Sequence, residues 1–240
     1  MTETPPPPIA PDWALFLDFD GVLAEIVDDP EAVTVAPDTH AALPGLRDRL
    51  GGAMAMVSGR PIATIDRVLA PLTLPVAGLH GLERRDGAGT LQEPAASEAM
   101  DAYRDRLLAR AEAGGFPVED KGASIALHYR RTPERKDEAV AVVTESLQGL
   151  DDLHLIHGKM VLEVKPQTSD KGVAVETFMA EAPFSGRMPI FVGDDVTDED
   201  GFRAAQRLGG FGVKVGPGET AARHRLDDVT AVGAWLKAGS

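Results

Sequence analysis

The chain has 240 residues, of which 43% are hydrophobic and 26% are charged, a balance typical of a folded globular protein with one or two domains. Its 38 acidic and 24 basic residues give a formal net charge of −14, which argues against nucleic acid or an anionic membrane surface as the main partner. Because the chain contains no cysteine, disulfides, zinc–thiolate sites and thiol nucleophiles are excluded.

The first twelve residues are rich in proline, with an uninterrupted run from Pro5 to Pro8. They have neither the basic start nor the apolar run of a signal peptide, and we expect residues 1–12 to be a disordered tail. No apolar stretch of the sequence is long enough to span a bilayer, so we expect a cytoplasmic location.

Apolar runs and amphipathic segments alternate through the two ends of the chain. The apolar runs predict buried strands at residues 13–18, 53–57, 74–78 and 188–193. The amphipathic segments predict helices near residues 38–50, 61–70, 170–182 and 198–208. This alternation indicates an α/β fold with a doubly wound parallel sheet, in which ligands bind beyond the carboxyl ends of the strands.

The middle of the chain has a different pattern, because its strand-like segments are apolar on one face only. The residues that would face a core are Ile125, Leu127 and Tyr129 in the first segment and Met160, Leu162 and Val164 in the second. Such half-polar strands suit an antiparallel sheet that is covered on one side, and residues 95–113 and 133–149 look like its helices.

This change of pattern predicts two domains. We infer a smaller α/β domain at residues 83–164, inserted between two halves of the parallel domain, 13–82 and 165–240.

The most informative segment is Asp18-Phe19-Asp20-Gly21, which directly follows the first predicted strand. Side chains alternate along a strand, so Asp18 and Asp20 point to the same side and their carboxylates should repel each other. A bound Mg²⁺ would relieve that repulsion, in an arrangement suited to the attack of an aspartate on a phosphate. The alternative is a strand that ends in a solvated acidic turn.

A second acidic group, Gly193-Asp194-Asp195, follows the last predicted strand. With Asp18 and Asp20, it would complete a Mg²⁺ site. Three further acidic residues lie in the first turn of the next helix, where the helix dipole favours negative charge. We expect that explanation to hold for Asp198, Glu199 and Asp200 more readily than for Asp194 and Asp195, which lie at the end of the strand.

Two helix starts carry polar groups that could bind a phosphate. Ser58 and Gly59 lie between a strand and a helix, where the serine hydroxyl and free backbone N–H groups could hold a phosphate oxygen. Lys171 lies in a first turn, where its charge opposes the helix dipole, and it could neutralise a phosphate and the aspartates. The alternatives are a helix-capping serine and a solvated lysine.

Together, these segments resemble a known superfamily. Asp18-Phe19-Asp20-Gly21, Ser58, Lys171 and Gly193-Asp194-Asp195 occur in the order of the four motifs of haloacid dehalogenase-like (HAD) phosphatases. The chain further resembles the trehalose-6-phosphate phosphatases, from about residue 13 to 236. The stretches that match are residues 18–26, 57–60, 78–85, 126–130, 158–166 and 193–199. One departure is Val22, where that family often has threonine, but valine retains the backbone N–H.

The resemblance implies a HAD-like Rossmannoid core with an inserted C2-type α/β cap, and it implies roles for the core residues. Asp18 would attack phosphorus to form an aspartyl-phosphate, and Asp20 would act as acid and then as base. The expected Mg²⁺ ligands are Asp18, the Asp20 carbonyl group and Asp194, with Asp195 nearby. The phosphoryl group would be bound by Ser58, Gly59 and Lys171.

The resemblance also implies that the cap supplies specificity. Trehalose presents only hydroxyl groups, so hydrogen-bonding side chains should recognise it. The expected sugar-binding residues are Lys159 and Glu163, followed by Arg130, His128 and Lys121. A solvated polar sheet face is the alternative.

The implied function is Mg²⁺-dependent hydrolysis of trehalose 6-phosphate in trehalose biosynthesis, with possible functional pairing to a trehalose-6-phosphate synthase. One alternative keeps the chemistry but changes the substrate to another sugar phosphate, such as sucrose 6-phosphate. A second alternative is a non-catalytic sugar-phosphate sensor, against which the intact set of Asp18, Asp20, Lys171 and Asp194 argues.

Overall fold

The computed structural model of the protein describes residues 4–27, 32–92, 98–120, 122, 124–158, 160–166 and 170–240. They form two compact units, one made of the described residues up to 92 and from 170 onward, and the other of those between 98 and 166. In the ranges given, no helix has the length and apolar character that a membrane crossing requires.

The described residues contain twelve strands and seven α-helices. The strands are β1 (Trp13–Leu17), β2 (Met54–Val57), β3 (Val76–Gly78), β4 (Glu83–Arg85), β5 (Leu91–Gln92), β6 (Val118–Asp120), β7 (Ile125–His128), β8 (Leu153–Gly158), β9 (Val161–Pro166), β10 (Met188–Gly193), β11 (Phe211–Val215) and β12 (His224–Leu226). The helices are α1 (Pro37–Arg49), α2 (Ile62–Leu69), α3 (Glu98–Gly114), α4 (Lys136–Leu147), α5 (Lys171–Met179), α6 (Asp198–Arg207) and α7 (Val229–Gly239).

The larger unit is built on one eight-stranded sheet with the order β12-β11-β10-β1-β2-β3-β4-β5. The six strands from β12 to β3 are parallel, and β4 and β5 add an antiparallel edge. Non-consecutive neighbours such as β1 and β10 require crossover connections, which the helices supply. The predicted parallel sheet is therefore confirmed, with an antiparallel edge that the apolar pattern did not indicate.

Helices cover both faces of the large sheet, and the alternation along β1 shows how. Leu15 and Leu17 pack in a core with side chains from α1, α2 and α7, whereas Ala14 and Phe16 pack in a second core with α5 and α6. All five residues of β1 are buried, as expected for a central parallel strand with a helical layer on each side. This doubly wound arrangement brings the carboxyl ends of the parallel strands together at one edge.

The smaller unit is a four-stranded antiparallel sheet with the order β6-β7-β9-β8, covered on one face by α3 and α4. Ile125, Leu127, Leu162 and Val164 lie in its core as predicted. Met160 does not, because it lies in the turn between β8 and β9 with a φ of 65° and is 37% exposed. The half-polar strand pattern thus identified the sheet but placed one turn residue in the core.

The smaller unit begins later in the chain than the predicted boundary at residue 83. Residues 83–92 contain β4 and β5, which extend the large sheet by pairing from β3 outward. It also ends later than residue 164, because β9 continues to Pro166. The sequence did not indicate these short edge strands, because their residues are largely charged or polar.

The proline-rich N-terminal segment is ordered from Thr4 onward, contrary to the predicted disorder of residues 1–12. Thr4 pairs with His224 of β12, and the Trp235 indole donates a 2.9 Å hydrogen bond to the Pro7 carbonyl. Ile9 is only 2% exposed and packs in the core beside α1 and α7. Proline has no N–H to donate to a β-sheet, but its carbonyl group still accepts hydrogen bonds. The carbonyl groups of Pro7 and Pro11 accept them from Trp235 and Arg187.

Candidate active site

The polar residues at the ends of three central strands converge because of the strand register. Leu17 of β1 lies beside Val192 of β10 and Met56 of β2, so the residues that follow each strand emerge side by side. The N–H of Asp18 donates to the Val192 carbonyl at 3.0 Å. Parallel direction and this register therefore place Asp18 between the chain ends that carry Ser58 and Asp194.

A buried ion-pair network lies at the centre of this edge. The Lys171 Nζ is 2.8 Å from Asp18 Oδ2 and 2.6 Å from Asp198 Oδ1. All three residues are buried, and Lys171 is only 2% exposed although it opens helix α5. A solvated lysine is thus ruled out, since burial of its charge requires the two carboxylates around it.

Asp198 organises the loop that carries the second acidic group. Its Oδ2 accepts hydrogen bonds of 2.9 Å from the N–H groups of both Asp194 and Asp195. Gly193 makes this approach possible, because a Cβ there would lie 2.2 Å from the Asp198 Cγ. The first-turn explanation for Asp198 was therefore insufficient, since this residue is fully buried and joins Lys171 to the loop.

A second glycine allows Asp194 to approach the first acidic segment. Gly21 has a φ of 69°, a backbone conformation that favours glycine, and a Cβ there would lie 2.1 Å from Asp194 Oδ2. Gly21 also donates a 2.8 Å hydrogen bond to the Ala24 carbonyl, which closes the turn after Asp20. The turn glycine thus gives Asp194 its place next to Asp18.

Burial strongly perturbs the pKa values of the network. Burial raises the pKa of Asp18 to about 7, with Lys171 opposing the rise and Asp198 adding to it. Burial and the Asp198 charge raise the pKa of Asp194 to about 6. Burial alone lowers the pKa of Lys171, but Asp18 and Asp198 outweigh it and hold that pKa above its usual range. Burial therefore costs the charged forms of Asp18 and Asp194 more than the neighbouring lysines return.

The donor set fits a divalent cation. Carboxylate oxygens of Asp18, Asp194 and Asp198 all lie within 4.8 Å of one another. Asp198 already binds Lys171 and two backbone N–H groups, so Asp18 and Asp194 are better suited to ligate a metal directly. Hard oxygen ligands favour Mg²⁺ or Ca²⁺ over softer metals, and such a cation would supply the missing positive charge.

Asp20 differs from the other acidic residues because an arginine binds it. The Arg60 guanidinium donates from Nε to Asp20 Oδ2 at 2.6 Å and from Nη2 to Oδ1 at 2.7 Å. The Asp20 side chain is 32% exposed, so it is reachable from solvent while this pair holds it. Its carboxylate is outside the three-residue acidic cluster, and only its backbone carbonyl remains a candidate for the metal.

The predicted phosphate-binding turn lies beside Asp18. Ser58 is buried, its N–H donates to the Ala77 carbonyl at 2.9 Å, and its Oγ accepts a 3.2 Å hydrogen bond from the Arg60 N–H. Gly59 is exposed at the tip of the turn. Helix α2 begins at Ile62 with Pro61 as its N-cap, so Ser58 is not the capping residue.

Asp195 does not lie in the cluster of carboxylates, although the sequence predicted it near the metal. It is exposed, and its Oδ1 accepts a 2.7 Å hydrogen bond from the Val196 N–H. The acidic cluster instead contains Asp198. The side chain of Asp195 therefore stabilises the loop after β10 through its hydrogen bond with the Val196 N–H.

The predicted sugar-binding residues belong to the smaller unit. Glu163 accepts a 2.6 Å hydrogen bond from the Ser124 hydroxyl, and His128 is 3.0 Å from Glu119. Glu163 lies opposite Ala126, on the sheet face away from α3 and α4, and Arg130 is exposed just after β7. Lys121 and Lys159 lie outside the described residues.

Three site residues were not predicted from the sequence: Asp198, Arg60 and Lys214. Lys214 is buried on β11, paired in register with Gly193, and its Nζ donates to the Asp194 carbonyl. The sequence could have indicated Lys214, because a lysine within the apolar run Phe211–Val215 would be buried and would need a polar partner. Arg60 could have been noticed as the cation nearest to Ser58 in the chain.

A cavity of about 420 Å³ opens beside the acidic cluster, and its volume is within the range of small-molecule sites. Gly21 and Asp194 line it, together with Ile26 and Val215. A ligand can therefore reach Asp194 from solvent within the larger unit.

The family model described as trehalose-phosphatase matches residues 16–230. A probable trehalose-phosphate phosphatase from Sinorhizobium fredii is 43% identical over 207 residues, covering 85% of this chain and 78% of the relative. The trehalose-6-phosphate phosphatase of Escherichia coli is 40% identical over 239 residues, covering 99% and 89%. The C-terminal domain of Candida albicans trehalose-6-phosphate phosphatase superposes with a TM-score of 0.74 at 23% identity, covering 95% and 92%, and supports the fold.

The fold is that of a phosphatase of the haloalkanoate (HAD) enzyme superfamily from Bacteroides thetaiotaomicron, which superposes with a TM-score of 0.66 at 18% identity, and this confirms the predicted fold class. Within that class, the chain belongs to the trehalose-phosphatase family. The relatives named in this family are phosphoric monoester hydrolases.

Proposed function

We propose that this protein hydrolyses trehalose 6-phosphate to trehalose and phosphate through an aspartyl-phosphate on Asp18, with Mg²⁺ as cofactor. The observation that carries the proposal is the buried network in which Lys171 joins Asp18 to Asp198, beside Asp194. Membership of the trehalose-phosphatase family supports the choice of substrate. The Mg²⁺ ion, when bound between Asp18 and Asp194, supplies positive charge that offsets the repulsion between nucleophile and phosphate.

In the first step, a carboxylate oxygen of Asp18 attacks phosphorus, and the bond between phosphorus and the sugar oxygen breaks. Asp20 gives its proton to that oxygen, so trehalose leaves as the neutral alcohol. Lys171, which contacts Asp18, and Ser58, which follows the neighbouring strand β2, stabilise the charge on the transferring phosphoryl group. Lys171 is suited to this because Asp198 holds it in place at 2.6 Å.

In the second step, water attacks phosphorus and the bond between phosphorus and Asp18 breaks. Asp20, now a carboxylate, accepts a proton from the water, and phosphate is released. Partial exposure of Asp20 supports this role, because water has to reach the residue. The proton that Asp20 gave to the sugar is thereby replaced, and the enzyme returns to its starting state.

We propose that the sheet face of the smaller unit that lies away from α3 and α4 recognises the sugar. Glu163, His128 and Arg130 offer donors and acceptors suited to hydroxyl groups. Lys121 and Lys159 remain proposed partners of the same sugar. The buried Ser124 hydroxyl orients the Glu163 carboxylate, which supports Glu163 as the first of these contacts.

The test is phosphate release from a panel of sugar phosphates, measured with Mg²⁺ and with EDTA. We expect strong preference for trehalose 6-phosphate over sucrose 6-phosphate and glucose 6-phosphate, and no turnover in EDTA. Equal rates on all sugar phosphates would contradict the assigned substrate while keeping the chemistry. Binding of trehalose 6-phosphate without phosphate release would support a sugar-phosphate sensor instead.

The proposed reaction implies a place in trehalose biosynthesis and a cytoplasmic location, where a synthase would supply the substrate. Functional pairing with that synthase requires only a shared metabolite. A pull-down with the synthase, compared with phosphate release from the two proteins mixed, distinguishes physical association from simple sequential action.

A further inference from the structure

The Arg60–Asp20 pair is set apart from the buried network of Lys171. Both Asp20 oxygens are bound by one guanidinium, at 2.6 and 2.7 Å, in the two-bond geometry that only arginine can provide. The arginine side chain is 15% exposed and the aspartate side chain 32% exposed, so the pair lies at the border with solvent.

Arg60 is anchored on several sides, so it can act as a fixed support. Its N–H donates to Ser58 Oγ at 3.2 Å, and its carbonyl accepts a 3.1 Å hydrogen bond from the Leu79 N–H. The guanidinium lies 5.8 Å from the centre of the buried Phe19 ring. A Cβ at Gly78 would lie only 2.9 Å from the Arg60 carbonyl oxygen, which shows how closely the backbone packs here.

We infer that Arg60 is a positioning residue for the acid–base step, because it binds and orients the carboxylate form of Asp20. The inference rests on the proposed function, in which Asp20 gives a proton to the sugar oxygen and later takes one from water. The two hydrogen bonds remove the rotational freedom that a partly exposed aspartate side chain would otherwise have.

This role has a distinctive consequence for substrate dependence. Trehalose is a poor leaving group and needs a proton as it departs, whereas p-nitrophenolate leaves without one. Because kcat/KM reports the steps from free enzyme to the first irreversible step, the loss of Asp20 positioning should depend on the leaving group. A general loss of structure would instead lower kcat/KM for both phosphates alike.

The experiment compares Arg60→Lys and Arg60→Gln with wild type on trehalose 6-phosphate and p-nitrophenyl phosphate, in the full chain with Mg²⁺. We expect kcat/KM for trehalose 6-phosphate to fall about tenfold or more, and that for p-nitrophenyl phosphate by less than about threefold. The matched control is Arg85→Lys. Arg85 also forms a two-bond pair, with Asp66, through Nη1 at 2.7 Å and Nη2 at 2.6 Å, but neither residue belongs to the site. We expect this control to change the two kcat/KM values by equal factors.

A double-mutant cycle with Asp20→Asn makes the test specific. If Arg60 acts through Asp20, Arg60→Lys should change kcat/KM for trehalose 6-phosphate by less than about twofold in the Asp20→Asn background. Equal losses on both phosphates, or the full loss in that background, would overturn the inference while an active wild type keeps the proposed function. A wild-type chain that cleaves neither phosphate would overturn both. Melting temperatures of all variants identify any that fail to fold, and Arg60→Gln then serves in place of Arg60→Lys.

Discussion

The strand ends of the larger unit and the sheet face of the smaller unit that carries Glu163 both have polar side chains, but these are held in different ways. Asp18, Lys171 and Asp198 are buried, and Lys171 binds both carboxylates directly. In the smaller unit, His128 pairs with a Glu119 side chain that is 54% exposed. The first set is fixed by backbone register and charge balance, and the second by local contacts between neighbouring strands.

This difference teaches which properties each region can control. In the buried network, removal of one charge leaves the others without balance, so chemistry and stability depend on the same residues. On the face that carries Glu163, a side chain can change without disturbing the core of the smaller unit, because that core lies on the opposite side of the sheet. We expect catalysis to depend on the first region and substrate choice on the second.

The largest effect is expected for Asp18→Asn. The amide cannot act as the nucleophile, so phosphate release should fall by at least about 10⁴-fold. The melting temperature without Mg²⁺ should change little at pH 8, because the loss of the ion pair with Lys171 is offset by the removal of a carboxylate that burial destabilises. The control is Asp200→Asn, an exposed residue paired with Arg203, which should leave both measurements unchanged. Full turnover by Asp18→Asn would contradict the covalent mechanism.

The second largest effect is expected for Asp198→Asn, which should lower both activity and stability. The amide cannot accept from Lys171 and from two backbone N–H groups as the carboxylate does, so one buried donor loses its partner. We expect a loss of about 3 kcal/mol in the free energy of unfolding, measured with urea, and at least about a hundredfold loss of activity. If Asp198→Asn lowered the free energy of unfolding no more than Asp200→Asn does, the hydrogen bonds of Asp198 would not be what stabilises the loop at Asp194 and Asp195.

The next effect tests the other region. Glu163→Gln keeps the shape of the side chain but removes its charge, and we expect KM for trehalose 6-phosphate to rise about tenfold. Turnover of p-nitrophenyl phosphate should be unchanged, because that substrate has no sugar. Ser124→Ala, which removes only the orienting hydroxyl group, should have a smaller effect in the same direction. An equal loss on both substrates would end the separation between chemistry and recognition.

The smallest effect is on the pH dependence of stability without metal. Burial raises the pKa of Asp18 to about 7 and that of Asp194 to about 6, whereas both titrate near 4 in the unfolded chain. Between these values the folded protein binds more protons than the unfolded one, so stability should fall as the pH rises. We expect the melting temperature in EDTA to drop by about 4 °C from pH 5 to pH 8, and Mg²⁺ to restore it mainly at the upper end. The drop should be smaller in Asp18→Asn.

The fold could be predicted from sequence where a strand is apolar throughout. Strand β11 is buried along its whole length but was not predicted, because Lys214 interrupts its apolar run. The run at β10 was predicted with its observed bounds, Met188–Gly193, because a central parallel strand is apolar throughout. The edge strands β4, β5 and β12 were not predicted, since their polar residues have no such pattern. Strand β8 was missed for the same reason, with two histidines among its six residues.

The site could be predicted to the extent that it follows strands. Asp18, Ser58 and Asp194 directly follow strands or end them, and the structure brings these chain ends together. Asp198, Arg60 and Lys214 reach the site through long-range contacts, so position along the chain does not indicate them. Asp198 and Asp200 both looked like ordinary first-turn residues, yet the first is fully buried and the second is exposed.

The N-terminal segment has a practical consequence for shortened forms of the protein. Its composition invites trimming to Trp13, but Arg49 donates to the Ile9 carbonyl at 3.1 Å and Ile9 packs closely against Gly239. Removal of residues 1–12 would expose an apolar surface between α1 and α7, and we expect the shortened protein to aggregate. Protease digestion should spare residues 4–12 in the intact fold, even though four consecutive prolines usually mark a cleavable linker.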